Sequence, residues 1–149
     1  MKYAAEEDGG YAPACWIWTS SNVGHGVLDM RGALAQSCNI FFYTVADEMH
    51  YVTPIVEVAE SFGVGKDPGS EVYSVPGQMA SEETKARAYA NSEDERDRSW
   101  YTADLLSAAI GQSVTEMTPL QICRYVSALA NRGTLYNFHS PSSKMKSEP

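Results

Sequence analysis

The chain has 149 residues, of which 44% are hydrophobic and 20% are charged, and its formal net charge at pH 7 is -8. That length and composition predict one folded domain, or part of one, with a modest core. The acidic balance argues against nucleic acid and anionic lipid as partners, because clustered Lys and Arg carry phosphate binding. No run of eighteen apolar residues occurs and the first ten residues are polar, so the sequence predicts neither a membrane span nor a signal peptide.

The first predicted elements are two helices that meet at the triplet Ser37-Cys38-Asn39. Asp29 is a suitable N-cap for a short helix that runs to about Gln36, because apolar residues recur there at helical spacing. A second helix begins at or near Asn39, and its apolar residues are Phe41, Phe42, Val45, Ala46 and Met49. The aromatic residues among them are interpreted as core and not as a platform for a ligand. A serine and an asparagine at such a junction can direct one hydroxyl and one carboxamide at a single point.

A third helix is predicted at Thr53, where the following proline takes the first helical position, and its apolar stripe ends at Gly63. Glycine and proline then mark turns as far as Gly77, with a candidate extended segment over 71–75. Residues 79–99 are polar and carry both signs of charge, which predicts a surface loop or an exposed helix.

Two more helices are predicted in the last third of the chain. Thr102 could cap a helix that stops at Gly111. The strongest signals lie at Thr118, where a proline follows at once and Gln121 completes a capping box, which predicts a helix over about 118–132. Residues 136–149 are predicted to be a disordered tail.

Two ordered blocks of sequence are more specific than any single motif. The first is the Ser-x-Asn triplet, Ser37-Cys38-Asn39, preceded by Gly24-His25-Gly26. The second is Ala109-Ile110-Gly111-Gln112-Ser113, followed by Thr118-Pro119-Leu120-Gln121 and by Ala130-Asn131-Arg132-Gly133. Together they make the chain, over roughly residues 15–135, resemble the transpeptidase domain of the penicillin-binding proteins. Ala103 and Ser113 depart from the pattern, because the family often has glycine at the first position and usually has it at the second.

The resemblance implies a mainly α chain: the helical part of a serine β-lactamase/transpeptidase-like α/β fold, with most of the sheet absent. Residues 1–135 are then expected to be a partial transpeptidase domain, with the Ser-x-Asn region at 24–50. No cofactor is implied. The implied partners are a peptidoglycan stem peptide and β-lactams, and the implied location of the parent protein is the outer face of the bacterial cytoplasmic membrane.

The resemblance also implies roles for two residues in acyl transfer. In the family, the serine of a Ser-x-x-Lys motif attacks the penultimate D-Ala carbonyl of the stem peptide, and β-lactams imitate that peptide. By matching position, Ser37 would relay a proton near the lysine and the leaving nitrogen, and Asn39 would hydrogen-bond an amide of the substrate. The alternative reading is that Ser37 is only an N-cap of the second helix, a role that serine prefers regardless of function.

The other two family motifs are missing from this sequence. No Ser-x-x-Lys precedes Ser37, and no Lys-Thr-Gly or Lys-Ser-Gly follows the helix at Thr118. The string Ser143-Lys144-Met145-Lys146 satisfies the first motif literally, but it lies in the polar tail after Ser37. We therefore interpret the chain as an internal fragment of a transpeptidase domain that is inactive alone. The alternatives are a non-catalytic helical binding module derived from such a domain and a serine β-lactamase-like relative.

The cysteines and histidines have no spacing that indicates a disulfide framework or a metal site. The three cysteines, Cys15, Cys38 and Cys123, are odd in number and lie in unrelated contexts. Together with His25, His50 and His139 they could in principle form a metal site, but no Cys-x-x-Cys or His-x-x-x-His spacing occurs. Cys38, the middle residue of the triplet, is expected to point into the core as a small apolar group. We predict structural roles for all six residues and no metal.

Overall fold

The computed structural model describes residues 13–70 and 73–138, and within these ranges it is mainly helical. The helices are α1 (Trp16–Ser21), α2 (Met30–Ala35), α3 (Asn39–Met49), α4 (Thr53–Ser61), α5 (Glu82–Ala88), α6 (Glu95–Arg98), α7 (Thr102–Ala109) and α8 (Pro119–Ala130). No strand forms in the described ranges, where an isolated antiparallel bridge joins Gln78 and Glu116. The predicted mainly α architecture is therefore confirmed.

The chain divides into two compact units. The first unit comprises Met1–Pro54 and Ala80–Val114, and the second comprises Ile55–Met79 and Thr115–Pro149. The first unit contains α1, α2, α3, α5, α6 and α7, whereas α8 and all but the first two residues of α4 belong to the second.

The core of the first unit forms where α3 packs against α2 and α7. Cys15, Ala33 and Cys38 are buried at one end, and the residues packed against them are Ile17, Leu28, Ile40, Phe41 and Phe42. The predicted core role of the aromatic residues of α3 is confirmed. Since α2 and α3 are held to this core, the turn between them is fixed in position.

Helix starts in the first unit follow the local sequence closely. Asp29 caps α2 as predicted, and its Oδ1 accepts the N–H of Gly32 at 2.7 Å. Thr102 was expected to cap α7, but the N-cap is Tyr101 and Thr102 is the first helical residue. The reason is that the Asp104 carboxylate reaches back and accepts the N–H of Tyr101 at 2.9 Å, which sets the start one residue earlier.

The polar segment 79–99 contains α5 and α6. Ser81 and Thr84 form a reciprocal capping box that starts α5. Asp94 and Arg96 pair on the exposed surface of α6, and the hydrogen bond from Arg96 lowers the pKa of the Asp94 carboxyl. Lys85, by contrast, is 9% exposed, which the interpretation of this segment as a surface loop or exposed helix did not anticipate.

The predicted capping box of α8 is confirmed. Thr118 Oγ1 accepts the N–H of Gln121 at 3.2 Å, and Gln121 Oε1 accepts the N–H of Thr118 at 3.1 Å. The helix ends at Ala130, two residues before the predicted end, because Asn131 leaves the helix and its side chain bonds both the N–H and the carbonyl of Thr134. The apolar stripe of α8 is largely uncovered: Ile122, Val126 and Leu129 are exposed.

Two predictions fall partly outside the described residues. Of the candidate extended segment 71–75, residues 73–75 form no strand and the first two lie outside the described ranges. The predicted disordered tail 136–149 lies outside them from residue 139 onwards. None of the helices in the described part of the chain has the length and apolar character needed to cross a membrane.

Candidate functional site

The Ser-x-Asn triplet forms the tight turn between α2 and α3. Ser37 adopts a left-handed backbone, with φ of 50°, and its N–H donates to the carbonyl of Leu34 at 3.2 Å. The next N–H, of Cys38, donates to the carbonyl of Ala33 at 2.9 Å. Backbone hydrogen bonds therefore hold the turn, and the side chains of Ser37 and Asn39 are not needed for that purpose.

Burial alternates along the triplet: the middle residue is buried and the two outer residues are accessible, as a ligand site formed by Ser37 and Asn39 requires. Cys38 is 7% exposed and packs in the core, which confirms the expectation for the middle residue. Ser37 is exposed and Asn39, the first residue of α3, is half-buried. The two polar side chains thus remain accessible while the residue between them anchors the turn.

The alternative that Ser37 acts as an N-cap is wrong. The N-cap of α3 is Cys38, and no side chain provides a cap hydrogen bond there. Within the described ranges, the Ser37 hydroxyl and the Asn39 carboxamide have no hydrogen-bond partner in the protein. Both groups therefore keep their full hydrogen-bonding capacity for a ligand.

Ser37 and Asn39 line a single cleft of about 500 Å³ in the first unit. Its walls are Leu34, Ser37, Asn39 and Phe42 from the turn and α3, and Ala109, Ile110, Gly111 and Gln112 from the end of α7. The packing of α3 on α7 brings these two segments together. Ser37 and Asn39 of the first sequence block therefore meet residues 109–112 of the second block at one site, although no separate role was predicted for Gly111 or Gln112.

The backbone after α7 explains why glycine suits this loop. Gly111 has φ of 75° and Ser113 has φ of 64°, both in the left-handed region. The N–H of Gly111 donates to Ala108 at 3.0 Å and that of Gln112 to Ser107 at 2.9 Å, so the chain turns sharply out of the helix. Ser113 adopts this conformation at a steric cost that glycine does not have.

We expect Ser113→Gly to raise the free energy of unfolding by about 0.5–1 kcal/mol, because it removes the clash of a Cβ at positive φ. Ser113→Ala is the matched control, since it removes the hydroxyl and keeps the Cβ, and it should give no gain. Urea unfolding followed by circular dichroism measures both. An equal gain from alanine would show that the hydroxyl, not the backbone, is responsible.

A second group of side chains lies in the same unit, beside the triplet. Cys15, His25 and Cys38 each offer one donor atom, and these atoms all lie within 4.8 Å of one another. Cys15 Sγ is 3.6 Å from Nδ1 of His25, and the buried Nε2 of His25 has no hydrogen-bond partner in the described structure. Of the described residues, these three could hold a metal ion.

No local pattern in the sequence indicates this group. Its members are separated by ten and thirteen residues, and no short ligand motif joins them. They come together because Cys15 precedes α1, His25 lies in the loop before α2, and Cys38 precedes α3. The structure therefore brings together three residues whose contexts in the sequence are unrelated.

A family model for the penicillin-binding protein transpeptidase domain matches residues 4–147 of this chain. The chain belongs to the penicillin-binding protein transpeptidase family. Its resemblance to that family in the two sequence blocks is thereby confirmed.

Curated relatives of this transpeptidase-family chain bear the description peptidoglycan D,D-transpeptidase MrdA. The protein from Salmonella typhimurium strain SL1344 is 32% identical over 117 residues, which are 78% of this chain and 18% of the relative. The protein from Haemophilus influenzae is 27% identical over 87% of this chain, which corresponds to 20% of that relative. The protein from Acinetobacter baumannii is 30% identical over 74% of this chain, which corresponds to 16% of that relative. The chain thus spans about a fifth of the length of these relatives.

Proposed function

We propose that this chain contributes the Ser-x-Asn part of the active site of a peptidoglycan D,D-transpeptidase. The observation that carries the proposal is the cleft in which Ser37 and Asn39 stand opposite the loop after α7. Ser37 acts as a hydroxyl that relays a proton to the leaving nitrogen, and Asn39 hydrogen-bonds an amide of the stem peptide. β-Lactams, which imitate the end of that peptide, are the second class of ligand.

Local structure supports both roles. A proton relay needs a hydroxyl that can donate and accept at once, and Ser37 has no internal bond among the described residues that would compete. Asn39 is on the first turn of an eleven-residue helix whose other side is packed in the core, so its direction is restricted. Positioning polar groups on rigid elements in this way lowers the cost of aligning a substrate.

We further propose that residues 1–149 are not sufficient for the reaction. The nucleophile and its lysine would have to come from residues outside this sequence, because no Ser-x-x-Lys precedes Ser37. The contributions of catalytic groups that act together to the reaction rate are strongly non-additive. A relay hydroxyl without the nucleophile therefore supports little catalysis. Residues 1–135 would then form part of a transpeptidase domain that acts at the outer face of the cytoplasmic membrane.

A titration with a stem-peptide mimic tests the proposed site directly. We expect an acetylated tripeptide ending in D-Ala-D-Ala to shift the NMR signals of the Asn39 side-chain amide and of the Gly111 and Gln112 backbone amides, with a dissociation constant of about 1 mM. Asn39→Ala should abolish the shifts, and Asn22→Ala, outside the cleft, should leave them. Equal shifts with the L-Ala-L-Ala peptide would contradict a transpeptidase site.

Acylation tests the proposed insufficiency separately. After incubation with excess benzylpenicillin, the intact mass of the chain should stay unchanged, while a complete penicillin-binding protein treated in parallel gains one adduct. A stoichiometric adduct on one serine would show that the chain contains its own nucleophile. Peptide mapping together with Ser143→Ala and Ser37→Ala would then identify it.

A further inference from the structure

We infer that the Gln112 side chain is a second ligand-binding carboxamide of the cleft, and that it holds one uncharged amide group of the ligand together with Asn39. The inference rests on the proposed function, because it takes the Ser37-Asn39 cleft as the ligand site. It adds a residue from the facing wall to that site, and it specifies the chemical group that the two carboxamides recognise.

The Gln112 side chain is available for a ligand. It is exposed, it lines the cleft, and within the described ranges it has no hydrogen-bond partner in the protein. Gln121 in α8 differs, because its side chain is 2% exposed and bonds Gly77 and Lys66. Gln112 therefore keeps an acceptor oxygen and two N–H donors that no contact within the described structure uses.

The backbone at Gln112 is held in place by the turn after α7. Its N–H donates to the carbonyl of Ser107 at 2.9 Å, and the residues on both sides, Gly111 and Ser113, have left-handed backbones. Asn39, on the facing wall, is the first residue of α3, which packs against α7. The two carboxamides are thus attached to elements that are packed together, which lowers the cost of ordering them around a ligand.

None of the described residues that line the cleft is charged. Apart from Ser37, Asn39 and Gln112, the lining residues have no polar side chain. A carboxylate that entered the cleft would lose water without gaining a cation. A neutral amide needs only an acceptor for its N–H and a donor for its carbonyl, and Asn39 and Gln112 can supply one each. The group held between them is therefore an uncharged amide and not the terminal carboxylate of the ligand.

A secondary amide of this kind occurs in both proposed classes of ligand. In a stem peptide it is the amide on the N-terminal side of the penultimate D-Ala. In benzylpenicillin it is the phenylacetylamino group attached to the β-lactam ring. 6-Aminopenicillanic acid has the same ring system and carboxylate but lacks this amide, so it is the matched control ligand.

NMR titration of the full chain with these three ligands tests the contact. The acetylated tripeptide ending in D-Ala-D-Ala and benzylpenicillin should each shift the side-chain amide signals of both Asn39 and Gln112. Gln112→Met keeps the length of the side chain and removes its hydrogen-bonding groups, so it should weaken binding of both ligands about fivefold. Gln36→Met, at an exposed glutamine outside the cleft, should leave binding unchanged. 6-Aminopenicillanic acid should bind more weakly, and equally to the unmodified chain and to Gln112→Met.

The outcomes separate this inference from the proposed function. A tripeptide that shifts no cleft signal of the unmodified chain would overturn both. Tripeptide and benzylpenicillin binding that Asn39→Ala abolishes and Gln112→Met leaves at full strength would overturn this inference alone. An equal weakening of 6-aminopenicillanic acid by Gln112→Met would also overturn it, because the contact would not be with the amide. Weakening of only the tripeptide or only benzylpenicillin would support the contact and identify that ligand as the source of the amide.

Discussion

Replacing Lys85 with methionine is expected to lower the free energy of unfolding by about 3 kcal/mol, the cost of leaving a buried charge without its partner. Lys85 Nζ donates to Asp104 Oδ2 at 2.6 Å, and the two side chains are only 11% and 15% exposed. The ammonium also lies 5.3 Å from the centre of the Tyr101 ring. Methionine keeps most of the apolar stem of lysine, so the loss of stability measures the effect of removing the charge.

The same ion pair organises the start of α7. Asp104 Oδ2 accepts from the Tyr101 N–H as well as from Lys85, so the pair links α5 to the helix that ends at the cleft. Urea unfolding measures the change, with Glu83→Gln as the control in an exposed pair on the same helix, where we expect less than about 0.5 kcal/mol. The double variant Lys85→Met/Asp104→Asn should recover part of the stability. A loss for Lys85→Met as small as that of the control would show that Asp104 is solvated.

Gly77→Ala is expected to destabilise the second unit by about 3–4 kcal/mol, because there is no room for a side chain. A Cβ built at Gly77 would overlap the carbonyl oxygen of Glu116 and lie 2.6 Å from Oε1 of Gln121. Glu116 is held by the bridge to Gln78, and Gln121 Oε1 accepts the Gly77 N–H at 2.9 Å. Neither neighbour can move without losing these bonds.

Gly133→Ala is the matched control in the same unit. Gly133 has φ of 101° with nothing within 4 Å of a built Cβ, whereas Gly77 is outside the left-handed region and is crowded. The control therefore tests the effect of backbone conformation alone. We expect Gly133→Ala to lower the free energy of unfolding by about 1 kcal/mol. Thermal unfolding followed by calorimetry compares them, and a smaller loss for Gly77→Ala than for the control would contradict the crowding.

The Gly77 contact also shows why Gln121 is buried. Its side chain is 2% exposed, accepts from Gly77 and Thr118, and donates to the carbonyl of Lys66 at 3.3 Å. The bond to Thr118 was predicted as a capping box, because it joins residues three apart. The bonds to Lys66 and Gly77 join residues 55 and 44 apart, and no local pattern indicated them.

The burial of Lys85 was likewise not predicted from the sequence. Its surroundings in sequence are charged, and such segments are usually solvated, so burial was not expected. Its partner lies nineteen residues away at the start of another helix. A charged residue can be buried where a specific counter-charge meets it, and that meeting depends on how the helices pack.

By itself, the sequence determined the starts of α2 and α8, the core role of the aromatic residues of α3 and the mainly helical fold, because capping and periodicity act over three or four residues. The family followed separately, from the resemblance carried by the two ordered sequence blocks. The sequence also singled out Ser37 and Asn39 as candidate site residues. Only the tertiary structure decided that these two residues share a cleft with the loop after α7, that Lys85 is buried, and that Cys15, His25 and Cys38 converge. Each of these depends on helix packing, which brings together residues that are distant in the chain and have no local signal of their proximity.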